Sequence, residues 1–328
     1  MNAAMAALPE SPNDRLVDLR NISGGDLRGI LQEEVAAWRK ALDWDLQPAA
    51  DLVRRFVDMQ ALNGFALFEG ERVVGYSYYV QDARKGLLGD LYVLEAHRTP
   101  EREFALLEAT LEALWRFPGV HRVEAQLLLL RSGLLSSRDV RRMPFANRFR
   151  PFARRFMEMP AARAQDLPDR APAGVTVVPW TPAKQDEAGR LVAAAYRGHI
   201  DSDINNQYRS PDGARRFLNN IIQYPGCGTF FAPAACAAVD VRGALCGVSL
   251  ASMIAAETGH ITQICVAPPQ QNSGVGYAML RRSLQALAAN GCRRISLTVT
   301  SGNTGAIRLY ERMGFVDRRE FSALIWES

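Results

Sequence analysis

Residues 264–278 read ICVAPPQQNSGVGYA, and this stretch decides how the rest of the sequence is interpreted. Its apolar, partly β-branched start is typical of a strand, which Pro268 and Pro269 end. The loop that follows carries Gly274 and Gly276 and opens into a run with helical spacing. Free N–H groups in the first turn of a helix suit a pyrophosphate, and glycine lets phosphate oxygens approach the backbone closely. The stretch therefore predicts an anion site between a strand and a helix.

A second stretch, residues 296–315, reads SLTVTSGNTGAIRLYERMGF and lies downstream of that helix. Its β-branched start predicts a strand, and the apolar spacing of Thr304–Met313 predicts a helix that Gly314 closes. The C-terminal part of the chain thus contains two strands that each lead into a helix.

Together the two stretches resemble the GNAT superfamily of acyl-CoA N-acyltransferases. The family signature V-x-P-x-x-[QR]-x-x-G-x-[GA] is filled by Val266, Pro268, Gln271, Gly274 and Gly276. The later family motif is matched by Asn303, Ala306, Leu309, Tyr310, Gly314 and Phe315. The resemblance implies that two parallel strands, ending at Val266 and Val299, splay apart and that the pantetheine arm of acetyl-CoA lies between them.

The resemblance also assigns cofactor contacts and a direct transfer without an acyl-enzyme. The contacts fall on Ile264, Cys265, Val266, Gln271, Asn272, Ser273, Gly274, Val275, Gly276, Tyr277, Asn303 and Ala306. Cys265 is expected to pack within its strand and not to act as a nucleophile, because its neighbours are apolar and no His–Asp pattern accompanies it.

Moving an acetyl group from a thioester to an amine requires a neutral amine, a polarised carbonyl and a protonated leaving thiolate. By resemblance, a backbone N–H near Val266 polarises the carbonyl and Tyr310 protonates the thiolate. A phenol suits this role because it stays protonated at neutral pH. The alternative for Tyr310 is a core aromatic residue whose hydroxyl is satisfied.

His260 is the candidate base, since members of the family place a His or Glu at that offset beside the acceptor. The period of two along a strand predicts that His260, Thr262 and Ile264 share one face, which makes Thr262 a candidate substrate contact. A structural histidine is the alternative, and Glu257 in the preceding turn is a second candidate base.

The loop His199–Tyr208 lies where the family shapes its acceptor site. Asp201 and Asp203 are candidate substrate residues that would hold a cationic amine. The alternative is that both carboxylates cap a helix and are solvated.

The chain is predicted to hold two domains of ordinary size, residues 14–160 and 175–328, joined by a linker at Ala161–Gly174 that is rich in Ala, Pro and charge. Residues 1–13 are predicted to be a disordered start. The two halves repeat one order of strands and helices, which predicts an α+β fold of two tandem GNAT-like domains. Each is expected to be a mixed, mostly antiparallel sheet flanked by helices, with the splayed strand pair in the second.

The periodicity of apolar residues and the positions of Pro and Gly predict the individual helices and strands. In the second half, strands are expected at Val175–Trp180, Ala235–Asp240, Leu245–Ile254, His260–Ala267 and Ile295–Thr300, helices at Gln185–Arg197, Asp212–Gln223, Gly276–Ala289 and Thr304–Met313, and a final β pair at Phe315–Trp326. In the first half, strands are expected at Arg15–Leu19, Phe65–Phe68, Val73–Val80, Leu87–Val93 and Val120–Leu128, a helix at Glu101–Trp115, and a Phe-rich strand through Phe149, Phe152 and Phe156.

The first half is predicted to be a degenerate copy of the second half. When Val93 is aligned with Val266, Arg98 takes the place of the signature glutamine, and Glu101 and Glu103 replace the two glycines. Carboxylates at those positions repel a pyrophosphate. This half is therefore expected to buttress the fold or to help form the acceptor cleft.

Composition excludes several functional classes. The net charge of +4 over 328 residues permits an anionic ligand without indicating nucleic acid. The four histidines show no metal-binding spacing, so no metal is expected. The odd count of cysteines without a CxxC pair favours reduced thiols in the cytoplasm, and no signal peptide or membrane span is predicted. The scarcity of lysine, three residues against many arginines, favours a bacterial source.

The sequence thus predicts an N-acetyltransferase that transfers an acetyl group to the primary amine of a small molecule, acting as a monomer or homodimer. The tandem outline also resembles mycothiol synthases, and acetylation of proteins is a further alternative. A non-catalytic module that binds acyl-CoA and regulates a partner is the alternative outside enzymes. The arginine-rich stretch Arg138–Arg155 has aromatic residues between its basic ones, as RNA-binding segments do, but a strand with solvated arginines is favoured.

Overall fold

The computed structural model describes residues 14–82, 84–130, 146–170, 172–224 and 226–327. The predicted disordered start, residues 1–13, therefore lies outside the described residues, as does the first part of Arg138–Arg155. The chain folds into two compact units. The first runs to Ala153 and also takes in the chain from Phe321 onward, and the second is Arg154–Glu320.

The first unit is an α+β structure. Its elements in chain order are β1 (Asp14–Asp18), α1 (Arg28–Leu42), α2 (Gln47–Asp58), β2 (Asn63–Glu69), β3 (Arg72–Asp82), β4 (Lys85–Val93), α3 (Pro100–Trp115) and β5 (Arg122–Gln126). Strands β1 to β4 pair antiparallel in chain order, and β4 pairs with β5 in parallel. The sequence analysis predicted the strands and α3 but missed α1 and α2.

The second unit repeats this plan with additions. The elements that follow β5 are β6 (Phe149–Pro160), β7 (Val175–Pro179), α4 (Gln185–Ala195), α5 (Asp201–Ile204), α6 (Pro211–Gln223), β8 (Thr229–Phe230), β9 (Cys236–Asp240), β10 (Leu245–Ala255), β11 (Thr258–Val266), α7 (Val275–Ala289), β12 (Arg294–Thr300), α8 (Thr304–Met313) and β13 (Val316–Glu327). The prediction of two copies of one α+β plan is confirmed.

The sheet of the second unit runs in the order β7, β9, β10, β11, β12 and the Arg154–Pro160 part of β6. Its pairs are antiparallel except for β11 with β12, which is parallel. One face packs on α4 and α6, through residues such as Val192, Leu218 and Leu250. The other packs on α7 and α8. Burial of both faces explains why these strands are rich in apolar residues.

Two elements differ from their predictions. The expected β pair at Phe315–Trp326 is one continuous strand, β13, whose residues Ala323–Glu327 pair antiparallel with β5 in the first unit. The expected linker begins with a 3-10 helix, Ala161–Ala164, whose two end residues are fully buried. Sequence composition alone did not reveal either arrangement, because both depend on partners far away in the chain.

The described part of the arginine-rich stretch supplies β6. Phe156 is fully buried, whereas Arg155 forms an ion pair of 2.9 Å with Asp317 at the surface. The aromatic and basic residues are not confined to opposite faces, because Arg154 and Phe156 lie two positions apart on the same face of β6 and Arg154 is partly buried.

Membrane-spanning and metal-binding features are absent from the ranges given above. No helix there is both long and apolar enough to cross a bilayer. The same residues contain no group of three or more His, Cys, Asp or Glu side chains that could hold a metal ion.

The core of the first unit contains a pair of carboxyl groups. Glu34 of α1 is fully buried, and the hydroxyl of Tyr76 donates to its Oε2 over 2.6 Å. Burial and the neighbouring Asp90 raise the pKa of Glu34 well above its usual range, and burial also raises the pKa of Asp90. The pair therefore holds a proton that the unfolded chain releases at lower pH.

This pair is expected to make the first unit less stable as pH rises. Each pH unit over which the folded chain holds one extra proton lowers the free energy of unfolding by about 1.4 kcal/mol. Glu34→Gln removes the shared proton, so its unfolding free energy should fall less than that of the wild type between pH 5 and pH 9. Urea unfolding at several pH values measures the slopes, with Glu71→Gln at an exposed position as the control. Equal slopes in Glu34→Gln and wild type would contradict the assignment.

Candidate active site

A gap opens between the two parallel strands of the second unit. Strand β11 pairs with β12 only from Thr258 with Arg294 to Ile261 with Leu297. Beyond that point β11 continues along β10, and β12 continues along β6. The splayed pair predicted for the second domain is therefore present.

Main-chain groups of β11 face this gap. The N–H of Ala267 donates to Cys246 O over 2.8 Å on the β10 side. Because successive N–H groups of a strand point to opposite sides, the N–H of Val266 points towards the gap. The carbonyl of Val266 accepts from Gln271 Nε2 over 3.3 Å. Val266 therefore offers a main-chain donor where the strands separate.

The loop after β11 turns sharply into α7. Asn272 and Gly274 have φ of 62° and 90°, in the left-handed region that favours glycine. Gly274 occupies the N-cap of α7, and glycine has no side chain with which to cap the helix. The first N–H groups of α7 are therefore left for another partner, as the sequence predicted. A Cβ added at Gly274 would meet no heavy atom within 4 Å, so the space above it is open.

The gap and the loop border one cleft of about 760 Å³. It brings together most of the predicted cofactor residues, namely Ile264, Cys265, Val266, Gln271, Asn272, Gly274, Gly276, Tyr277, Asn303 and Ala306. The other two predicted cofactor residues do not line the cleft. Val275 is fully buried in the core, and Ser273 Oγ donates to Gln270 O over 2.6 Å. Asn303 caps α8, because its Oδ1 accepts from the N–H of Ala306 over 3.3 Å.

Tyr310 of α8 also lines the cleft. Its ring lies edge-on to Phe315 at 5.9 Å and is 7% exposed. Burial raises the pKa of Tyr310 above its ordinary value, the nearby carboxylate of Asp201 raises it further, and Arg154 opposes them. The phenol is therefore held in the form that donates a proton.

A β-bulge changes the predicted facing of His260. Ile261 pairs with Ala251 and Gln263 with Leu250, so Thr262 is an extra residue in β11. The hydroxyl of Thr262 donates to Leu250 O over 3.0 Å. The extra residue shifts the alternation, so His260 and Ile264 face opposite sides of the sheet and the predicted common face is wrong.

The surroundings of His260 do not suit a general base. The ring is 5% exposed, its Nδ1 lies 2.9 Å from Ser296 Oγ, and it stacks on Phe156 at 5.9 Å. Burial, with a smaller contribution from Arg154, lowers the pKa of His260 to about 3. The described residues that line the cleft do not include it. The candidate base of the sequence analysis is therefore a neutral, buried histidine.

A polar network that the sequence analysis did not identify lies beside the gap. Tyr208 OH donates to Gln263 Oε1 over 3.0 Å, and Gln263 Nε2 donates to Tyr196 OH over 3.1 Å. Tyr196 OH donates in turn to Ile264 O over 3.3 Å, and the two tyrosine rings stack at 4.3 Å. The tyrosines lie on separate elements, so no spacing in the sequence connects them.

The two candidate substrate aspartates differ in their surroundings. Asp201 accepts from the hydroxyl of Thr300 at the end of β12, and its side chain is 17% exposed. Burial raises the pKa of Tyr196, Tyr208 and Tyr310, and the charge of Asp201 raises each of them further, so Asp201 lies near these tyrosines. Asp203 instead lies 3.4 Å from Arg209 at the surface.

The surroundings of two further residues, Glu257 and Cys265, argue against a catalytic role for either of them. Glu257 forms an ion pair of 2.9 Å with Arg293 and its side chain is solvated. Burial raises the pKa of Cys265 to about 12, so its thiol stays protonated and is a poor nucleophile.

The first unit has a corresponding loop that is closed by its own side chains. Arg98 donates to Val93 O from Nε over 3.1 Å and from Nη2 over 2.9 Å, where the second unit uses Gln271 on Val266. Thr99 caps α3, since its Oγ1 accepts from the N–H of Arg102 over 3.3 Å. Glu103, 3% exposed, lies 3.5 Å from Arg98. The helix start is thus capped and acidic, which disfavours a phosphate there.

Comparison with known proteins agrees with this geometry. Residues 185–315 match the model of the acetyltransferase (GNAT) family. The chain is 28% identical over 311 residues to the mycothiol acetyltransferase of Streptomyces avermitilis, a match that covers 90% of each chain.

Two solved structures share the fold across almost the whole chain. A GCN5-related N-acetyltransferase from Sphaerobacter thermophilus has a TM-score of 0.67 at 19% identity, covering 97% of this chain and 96% of that one. A tandem GNAT protein from the clavulanic acid biosynthesis pathway has a TM-score of 0.61 at 18% identity, covering 96% and 98%. Taken with the family match over residues 185–315, the chain carries an acetyltransferase domain of the GNAT superfamily and is an acyltransferase.

Proposed function

We propose that the second unit transfers an acetyl group from acetyl-CoA to the primary amine of a small molecule by direct attack. The observation that carries the proposal is the cleft that joins the uncapped start of α7 at Gly274 to the strand gap and to Tyr310. One elongated ligand with a pyrophosphate at one end and a thioester at the other fits this sequence of groups.

The cofactor would lie with its diphosphate on the first N–H groups of α7 and its pantetheine arm along β11. The N–H of Val266 would donate to the thioester oxygen, where negative charge develops during attack. As the C–N bond forms and the C–S bond breaks, Tyr310 would protonate the departing thiolate.

The acceptor would approach from the side of Asp201. The Thr300 hydroxyl orients this carboxylate, which attracts an ammonium group and takes the proton that the amine must lose before attack. His260 is a buried neutral ring, so we assign this step to Asp201, which lies 3.7 Å from Nδ1 of the cleft residue His199.

The proposal is tested by release of free thiol from acetyl-CoA in the presence of a panel of amines, with mass spectrometry of the acetylated products. Amine-dependent thiol release is expected. Binding of CoA without such release would favour the alternative, a non-catalytic acyl-CoA module.

Asp201→Asn is expected to raise the amine KM about tenfold, because a charge-assisted contact of roughly 1.5–3 kcal/mol is lost, and to lower kcat, because an amide cannot take the amine proton. CoA affinity should be unchanged. Asp203→Asn is the matched control, since that carboxylate faces Arg209 at the surface. Steady-state kinetics with the best amine of the panel measures both variants. An equal effect of the two substitutions would remove Asp201 from the acceptor site.

A second candidate acceptor is the one used by mycothiol acetyltransferases. The observation in its favour is the 90% coverage of both chains in the match to the Streptomyces avermitilis protein. Including that acceptor in the amine panel separates the two candidates, because the preferred acceptor should show the highest kcat/KM.

A further inference from the structure

The segment predicted as a linker forms one wall of the cofactor cleft. Leu167, Pro168 and Arg170 line the cleft together with Tyr277 in the first turn of α7. This stretch is therefore more than a connection between two domains.

Polar contacts hold the wall against α7. Tyr277 OH donates to Pro168 O over 2.8 Å, and Arg281 Nε donates to Leu167 O over 2.9 Å. Arg281 also lies 3.1 Å from the carboxylate of Asp169. Because Tyr277 and Arg281 are one helical turn apart, these contacts fix the segment alongside the loop at Gly274.

Arg170 is the last of these three wall residues along the chain. Its guanidinium stands over the Tyr277 ring, 5.6 Å from the ring centroid, a cation–π contact that orients the side chain. The described residues that line the cleft include Arg170 and Arg312 but no Asp or Glu. The mouth of the cleft is therefore suited to an anion in addition to the pyrophosphate.

The orientation of the bound cofactor determines which of its phosphate groups would lie near Arg170. In the proposed function the thioester points inward to Tyr310 and the diphosphate lies at Gly274 and Gly276. The nucleotide end would then extend from Gly276 towards Tyr277 and Arg170, which line the same cleft. The ribose of CoA carries a phosphate at its 3′ position, and a planar guanidinium binds a phosphate through paired hydrogen bonds.

We propose that Arg170 binds the 3′-phosphate of CoA and makes the enzyme select CoA over its 3′-dephospho form. The inference rests on the proposed function, because it needs the diphosphate at the start of α7. It assigns to the linker segment a part in cofactor recognition that its composition did not reveal.

Calorimetric binding of CoA and of 3′-dephospho-CoA to the full chain tests the proposal. The wild type is expected to bind CoA about tenfold more tightly than the dephospho form. Arg170→Gln should weaken binding of CoA to the level of the dephospho form and leave binding of the dephospho form unchanged. The side chain is exposed, so the substitution leaves the core intact.

Arg312→Gln, on α8 at the same cleft, provides the comparison and should keep the preference for CoA. A preference that survives in Arg170→Gln, or that is lost only in Arg312→Gln, overturns the inference while the proposed function stands. If neither nucleotide binds the wild type, the proposed function fails and the inference fails with it.

Discussion

Replacing Tyr310 by Phe is expected to lower kcat by about 10²-fold or more, the usual contribution of a general acid, while CoA affinity changes little. The substitution removes one hydroxyl and keeps the ring that packs against Phe315. Burial and the charge of Asp201 keep the phenol protonated, so its proton is available when the thiolate departs. Without it, the thiolate must leave as an anion.

Three measurements make this prediction specific. Steady-state kinetics gives kcat, and calorimetry gives the dissociation constant of CoA for the same preparation. Thermal unfolding shows whether the buried ring still packs. If kcat and CoA affinity fall by the same factor, Tyr310 contributes to binding and is not the acid.

Gly274→Glu is expected to abolish measurable CoA binding, a loss of about 100-fold or more in affinity. The substitution places a carboxylate in the open space above the start of α7, where the diphosphate would lie. The first unit illustrates the effect, because Glu101 and Glu103 lie in the first turn of its corresponding helix α3.

Gly291→Glu is the matched control. Gly291 follows the other end of α7, has a φ of 89° close to the 90° of Gly274, and likewise has no neighbour within 4 Å of an added Cβ. Both variants therefore carry similar backbone strain and the same new charge. Loss of CoA binding in Gly274→Glu alone supports the phosphate site, whereas equal affinities in both variants would contradict it.

The fold could be predicted to a large extent because its signals are local. The prolines after β11 and the glycine closing α8 limit elements that their own apolar spacing already defines. The conformation of the loop at Gly274 was likewise predictable, because Gly274 takes a positive φ that few other residues tolerate. Helices α1 and α2 were missed, although the buried residues Ala50, Val53 and Val57 of α2 recur at helical spacing; in α1 the charged Glu34 lies on the buried face.

The acceptor side could not be predicted, because it depends on contacts that no spacing encodes. The bulge at Thr262 reverses which face His260 occupies, and a strict period of two cannot anticipate an extra residue. The stacked Tyr196 and Tyr208 meet through Gln263, which lies far along the chain from both. Side chains that meet in this way become visible only in the folded chain.

The pairing of Ala323–Glu327 with β5 has a consequence for biosynthesis. Domains usually fold as they emerge from the ribosome, with the N-terminal one first. Here the edge of β5 stays without this partner until the second unit has been translated. We therefore expect the unit that is made first to complete its sheet last.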